Sequence, residues 1–294
     1  MDSYNKRRQR LNQVMQYIFR GSASLLIVII AALLVFIAQQ GVATFSEVSV
    51  GEFFGSSVWR PDAGQFGALA FIWGSLLVTA GALLVGAPLG IAGAIFLAKV
   101  APAWMRSILQ PAVNLYLAIP SVVYGFIGLT VVVPSVREVL GVSGGFGIFT
   151  ASLILGLMIL PTIIAIAADA LRAVPPMLEE GSLALGATEW QTIWHIVLPA
   201  ALPGLVTAVV LGMARAIGET MAVQMVIGNA PQLATGLFMP TSTLPSEIVV
   251  EMGNTPFGSA WGNSLFLMAL VLLLISLGLI LVVRRLSAGK GLNR

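Results

Sequence analysis

The sequence predicts an all-α integral membrane protein with six transmembrane helices. Composition is the first reason: 58% of the 294 residues are hydrophobic and 9% are charged, against about 25% charged in soluble domains. Mean hydropathy is +0.97. The second reason is spacing. Charged segments divide the chain into six apolar intervals, each able to supply the roughly 20 residues a span needs. The third is the charge distribution, which is strongly one-sided.

Span 1 is placed at Tyr17–Gln39, behind Lys6, Arg7, Arg8, Arg10 and Arg20. Its apolar run, Gly21–Ala38, is longer than the typical 7–15 residues of a signal peptide and lacks a clean cleavage site, so a retained span is expected. A polar segment with Glu47, Glu52, Arg60 and Asp62 follows. Span 2 falls within Ala63–Ala98, where Gly81, Gly86, Gly90 and Gly93 suggest close helix packing and Pro88 a kink. Lys99 and Arg106 mark a short connection to span 3, within Ser107–Val136. Span 4 lies within Phe146–Ala168, span 5 at Ala201–Ile227 and span 6 at Ser259–Val283. The expected organisation is a tail at 1–16, a six-span domain at 17–283 with a loop at 169–200, and a tail at 284–294.

Six spans put both ends on one side. Lys99, Arg106, Arg172, Arg284, Arg285, Lys290, Arg294 and the N-terminal cluster share that side, while Arg60 and Arg137 lie opposite. The positive-inside rule makes the richer side cytoplasmic, with both termini and the 169–200 loop. The expected location is a prokaryotic plasma (inner) membrane.

Several function classes are excluded. The net charge of +3 comes from few charges and describes no nucleic-acid surface. There is no cysteine, hence no disulfide or thiolate metal site, and the single histidine, His195, argues against a histidine metal centre. No Gly-rich loop with Lys and Ser/Thr is present, so this chain does not hydrolyse a nucleotide by that route. Uphill movement would need another subunit for energy.

The segment Pro175–Pro203 is patterned beyond an ordinary loop. Pro175-Pro176 suits a helix start, and Glu179 and Glu180 suit its positive end. Gly186 suits a stop. Thr188 with Gln191 reads as a capping box for a second short helix, in which Trp190, Ile193, Trp194 and Val197 share one apolar face. Pro199 is expected to block its continuation. Pattern alone leaves a lipid-resting hairpin and a docking lever both open.

Within span 5, Arg215 and Glu219 stand four apart and are expected on one helix face. Intramembrane charges face a protein interior or a water-filled cavity. Two readings stand: a mutually satisfied packing pair, or a transport path in which Arg215 attracts an oxyanion and Glu219 holds Arg215 or a partner's cation. In span 3, Ser121 and Tyr124 follow Pro120 and could line such a path, or bond across helices.

With these residues placed, the chain resembles the permease subunits of binding-protein-dependent, ATP-driven importers. Their cytoplasmic motif runs Glu-Ala-Ala, three residues, Gly, nine residues, Ile-x-Leu-Pro. Glu180, Gly186, Ile196, Leu198 and Pro199 match that spacing, with Gly181 and Ser182 in place of the alanines. The stretches AIPSVVYGFIGL (118–129), RAIGETMAV (215–223) and GNAP (228–231) resemble the phosphate-specific branch, nearest its C-type (PstC) subunit. The resemblance implies a type I ABC importer permease fold with a cytoplasmic coupling helix between spans 4 and 5. It implies Glu179, Glu180, Gly186, Trp190, Trp194, Ile196, Leu198 and Pro199 as the ATPase-coupling residues, and Arg215 and Glu219 near a phosphate path. It also implies a sister permease (PstA type), two ATPase subunits (PstB type) that use ATP and Mg, and a phosphate-binding protein (PstS type). No cofactor is expected on this chain. A permease for sulfate or molybdate is the alternative within the class. A membrane-embedded enzyme or a channel is the alternative outside it.

Overall fold

The computed structural model describes the backbone of residues 2–291 and the side chains of residues 12–285. The basic cluster Lys6–Arg10 and the tail cations Lys290 and Arg294 therefore lie outside the described side chains. Among the described residues, six helices are long and apolar enough to cross a membrane: Asn12–Ser46, Leu69–Val100, Ser121–Leu140, Ile148–Arg172, Glu189–Ile217 and Ala260–Arg285. Four of them lie close to the expected spans, and two differ.

The centre of the fold is α7 (Ile148–Arg172), clasped by α3 (Leu69–Ile95) on one side and α10 (Leu198–Ile217) on the other. Small residues make the clasp possible. A Cβ at Gly90 of α3 would stand 2.7 Å from Ile163 Cγ2, and one at Gly212 of α10 would stand 2.7 Å from Ile163 Cγ1. Ile163 of α7 is thus wedged between two glycines and fully buried. Without a hydrophobic drive between helices in lipid, such close van der Waals contact supplies the attraction. The share of each apolar window buried inside the chain follows this order: 61% for α7, 17% for α13 (Ala260–Gly291) and none for α1 (Asp2–Ala43). The first span is peripheral and packs on α13.

Span 3 is corrected. Instead of one helix within Ser107–Val136, the chain forms α4 (Ala103–Leu117), breaks at Ala118-Ile119-Pro120, and resumes as α5 (Ser121–Ile127), a π turn (Gly128–Val132) and α6 (Val133–Leu140). Pro120 lacks an N–H and disfavours a helical residue before it, so it becomes the cap of α5 instead of an interior residue. Pro88, Pro111 and Pro161, by contrast, sit inside continuous helices.

The segment after span 1 is structured as well. It holds α2 (Val50–Gly55), capped by the Ser49 side chain, and a two-residue hairpin of β1 (Trp59–Arg60) with β2 (Gln65–Phe66). Phe53, Trp59, Phe66 and Phe71 pack there with Leu244 and Leu265. Leu244 opens α12 (Leu244–Met252), whose Thr243–Ser246 capping box is buried. This aromatic cluster anchors α12 as a cap over the loop end of the bundle.

Candidate coupling element and transport path

The 169–200 loop folds as the sequence suggests at its start. Pro176 opens α8 (Pro176–Ala184), and Gly186 takes φ +84°, a left-handed turn that favours glycine. Thr188 Oγ1 accepts from Gln191 N while Gln191 Oε1 accepts from Thr188 N at 2.9 Å, completing the capping box of α9 (Glu189–Thr192). The hydroxyls of Ser182 and Thr192 meet at 2.9 Å and pin α8 onto α9.

The end of the element is corrected. Pro199 does not stop the second helix. A π turn at Ile193–Val197 joins α9 to α10, with Leu198 N–H donating to Ile193 O, five residues back. The wider turn carries the chain past Pro199, which sits in the first turn of α10, where its missing N–H is harmless. The element is one short helix followed by the projecting end of a span. The expected single apolar face is also divided. Ile193 and Val197 are buried, whereas Trp190 and Trp194 are 58% and 51% exposed, their rings edge-to-face at 5.7 Å. Ile196 and Leu198 are half-buried, and Glu180, Gly186 and Pro199 are exposed. Met177, Leu183 and Leu185 add exposed apolar surface to the same element. Glu179 is turned elsewhere, in an ion pair with Lys99.

Span 5 is corrected too. α10 ends at Ile217, and α11 (Met221–Ile227) begins after Gly218-Glu219-Thr220. Arg215 and Glu219 therefore do not share a helix face. No ion pair joins them among the described residues. Arg215 Nη1 donates to Thr162 Oγ1 of α7 at 3.0 Å. Glu219 Oε1 accepts from Ala222 N at 3.3 Å, capping α11. Each charge lies at the helix end whose dipole suits it: Arg215 in the last turn of α10, Glu219 before the first turn of α11. Glycine at 218 and a carboxylate able to start a new helix account for the break.

Tyr124, on α5, is largely buried. Its hydroxyl donates to Tyr116 O at 2.8 Å, and the two rings meet edge-on at 5.3 Å. Ser121 is the half-buried first residue of α5. The structure thus joins Arg215 to Thr162 and Tyr124 to Tyr116. Glu219 instead lines a narrow crevice with Ser75, Thr79 and Thr243. Thr162 was not anticipated, because one threonine in an apolar span carries no distinguishing pattern. Among the described residues no group of three or more His, Cys, Asp or Glu is placed to hold a metal ion.

A second polar feature, also not anticipated, sits in the α12 cap. Glu247 is 3% exposed. Burial pushes its carboxyl up to about 7, opposed by a hydrogen bond from Ser242 and reinforced by the neighbouring Glu251 carboxylate. Glu251 accepts the Trp59 indole N–H at 2.9 Å and the Trp261 indole N–H at 2.7 Å.

Comparison with known proteins bears on these features. Residues 90–290 match the model of the family described as the binding-protein-dependent transport system inner membrane component. The chain is 45% identical to the probable ABC transporter permease protein YqgH of Bacillus subtilis, over 97% of this chain and 94% of that one. It is 36% identical to the phosphate transport system permease protein PstC of Haemophilus influenzae, over 82% of this chain and 81% of that one. Among solved structures, it resembles a methionine ABC transporter in an inward-facing conformation at TM-score 0.56 and 26% identity, covering 74% of this chain and 93% of that one. An importer of the acidic polysaccharide alginate shares the fold at TM-score 0.62 and 18% identity, over 97% of this chain and all of that one.

Proposed function

This chain belongs to the family of inner-membrane components of binding-protein-dependent transport systems, and from that premise we propose that it is the permease subunit through which an ATP-driven importer passes inorganic phosphate. The observation that carries the substrate class is the partner of Arg215. Its guanidinium donates to a neutral threonine hydroxyl from the last turn of α10, and no carboxylate is paired with it among the described residues. It keeps most of its attraction for an oxyanion, and its planar fork suits phosphate oxygens. Glu219, engaged in capping α11, does not neutralise it. Relatives named as phosphate permeases support the same assignment.

The mechanism follows from the layout. Both termini and the α8–α9 element face the cytoplasm in this reading, which the Lys and Arg distribution supports. Two ATPase subunits dock there against Glu180, Trp190, Trp194 and the exposed apolar side chains around Gly186. ATP and Mg belong to those subunits. A sister permease completes the pathway, and a phosphate-binding protein delivers substrate from outside. ATP-driven closure moves α8–α9, and the continuous α9–α10 helix carries that motion towards Arg215. Arg215 then offers phosphate a transient positive field, and Tyr124 and Ser121 line the route. The binding is weak, because a path site must release its ion.

The test is phosphate uptake by the reconstituted complex with Arg215→Gln. Loss of most uptake with normal assembly is expected. Undiminished uptake removes Arg215 from the path. Competition by sulfate or molybdate at equal strength would reassign the substrate.

A further inference from the structure

Glu179 lies in the docking element but is not free to meet a docked subunit. Its Oε1 is ion-paired with Lys99 Nζ, and the two side chains are only 27% and 14% exposed. Lys99 belongs to the π turn (Phe96–Val100) that ends α3. The other ion pair found among the described side chains, Arg172 with Asp169, spans a single helical turn. Lys99–Glu179 instead joins two elements 80 residues apart.

We propose that Lys99 and Glu179 form a strut that transmits the movement of α8 to α3, and through α3 to the α12 cap at the opposite end of the bundle. Both are then positioning residues for the transport cycle, and Glu179 is not an ATPase contact. The inference rests on the importer reading above.

The geometry supports a third attachment point. Along the chain, α8 is tied to α7 through Ala173-Val174-Pro175. Through Ser182 and Thr192 it is tied to α9, which continues into α10. These links reach spans 4 and 5 alone. The ion pair adds span 2. A half-buried pair suits the task better than a surface one, since it is less screened and removing one partner strands the other's charge. The π turn supports this placement, because such turns shift the phase of the residues that follow and recur at functional sites.

α3 is also continuous, although Pro88 lies within it, and is held along its length by α7. It runs unbroken for 27 residues and is keyed to α7 through Gly86 against Ile159 and Gly90 against Ile163. At its far end, Ser75 Oγ accepts from Leu244 N at 2.9 Å, at the start of α12. Gly74 lies so close to the Ser242 carbonyl that a side chain there would clash. One continuous helix with its terminal π turn thus joins α8 to the α12 cap.

The experiment measures phosphate imported per ATP hydrolysed in proteoliposomes holding the complete complex and its binding protein. Lys99→Gln and Glu179→Gln are each expected to lower that ratio several-fold. Lys99→Arg, and the exchanged pair Lys99→Glu with Glu179→Lys, are expected to recover it. A native ratio in either neutral variant overturns the strut, as does an exchanged pair no better than the single variants. A second arm does not depend on those variants assembling. The chain has no cysteine, so Lys99→Cys with Glu179→Cys can be bridged by a short, reducible bifunctional thiol reagent. The bridged form should be coupled and the reduced form uncoupled. Arrest of transport by the bridge would show that the two elements must separate, and would overturn the proposal. If the unmodified complex imports no phosphate, the functional reading fails instead of the strut.

Discussion

Replacing Glu247 with glutamine should change how the α12 cap responds to pH. The Glu247 carboxyl is moved from 4.5 to about 7, first by burial. At about 1.4 kcal/mol per pH unit, that displacement corresponds to about 3 kcal/mol. The folded state holds a proton that the opened state releases. The contribution is therefore complete below pH 4.5, falls as pH rises towards 7, and is lost above it. Opening of α12 should become about a hundredfold more frequent between pH 5 and pH 8. Other groups facing the site include Glu251, with Trp59 and Trp261 held on its carboxylate.

Hydrogen exchange of the α12 amides, expressed as protection factors corrected for intrinsic rates, measures that opening. Emission from Trp59 and Trp261 reports it independently, because both indoles are bonded to Glu251. Glu247→Gln mimics the protonated carboxyl and should flatten the profile, leaving the cap more protected than the native protein at pH 8. Native protection that does not fall across this range refutes the reasoning. So does a glutamine variant that falls equally.

Three further outcomes are expected. Gly90→Ala would place a Cβ 2.7 Å from Ile163 Cγ2 and 2.8 Å from its Cβ and should cost about 1–3 kcal/mol in thermal unfolding. Gly186→Ala meets nothing within 4 Å, yet its φ of +84° is unfavourable for alanine; about 1 kcal/mol should be lost locally, read as faster exchange at the α8–α9 turn and weaker coupling of ATP hydrolysis to uptake. Thr188→Ala removes the capping box and should cost about 1 kcal/mol, with Thr188→Ser retaining most of it.

Hydropathy was enough to read six apolar stretches, four of them close to their expected bounds, and periodicity was enough to read the start of the α8–α9 element. They were not enough to read continuity. Pro199 and Pro120 show why. Both are prolines in apolar surroundings. The first is absorbed because a π turn precedes it, and the second becomes a cap because the chain before it leaves the helix. The difference lies in which carbonyls find donors, and that is a tertiary property. The break at Gly218–Thr220 has no proline at all. The motif departure at Ser182 is a related case. As a sequence it is only a small residue in place of alanine, but its hydroxyl meets that of Thr192 and ties α8 to α9.

The two unforeseen breaks have a common consequence. In lipid, backbone left unpaired at a helix end is tolerated only where protein or a water-lined path surrounds it. α10 ends at the buried Ile217, and α5 begins at the half-buried Ser121. Discontinuous helices of this kind mark ion sites in transporters. Arg215 lies in the last turn of α10, where the helix dipole favours a cation, and its guanidinium donates to Thr162. Had α10 run unbroken to Ile227, Glu219 would lie one turn above Arg215 and would quench its field. The interruption takes Glu219 out of the α10 helix, and no ion pair joins it to Arg215 among the described residues, which is the arrangement the proposed phosphate path calls for.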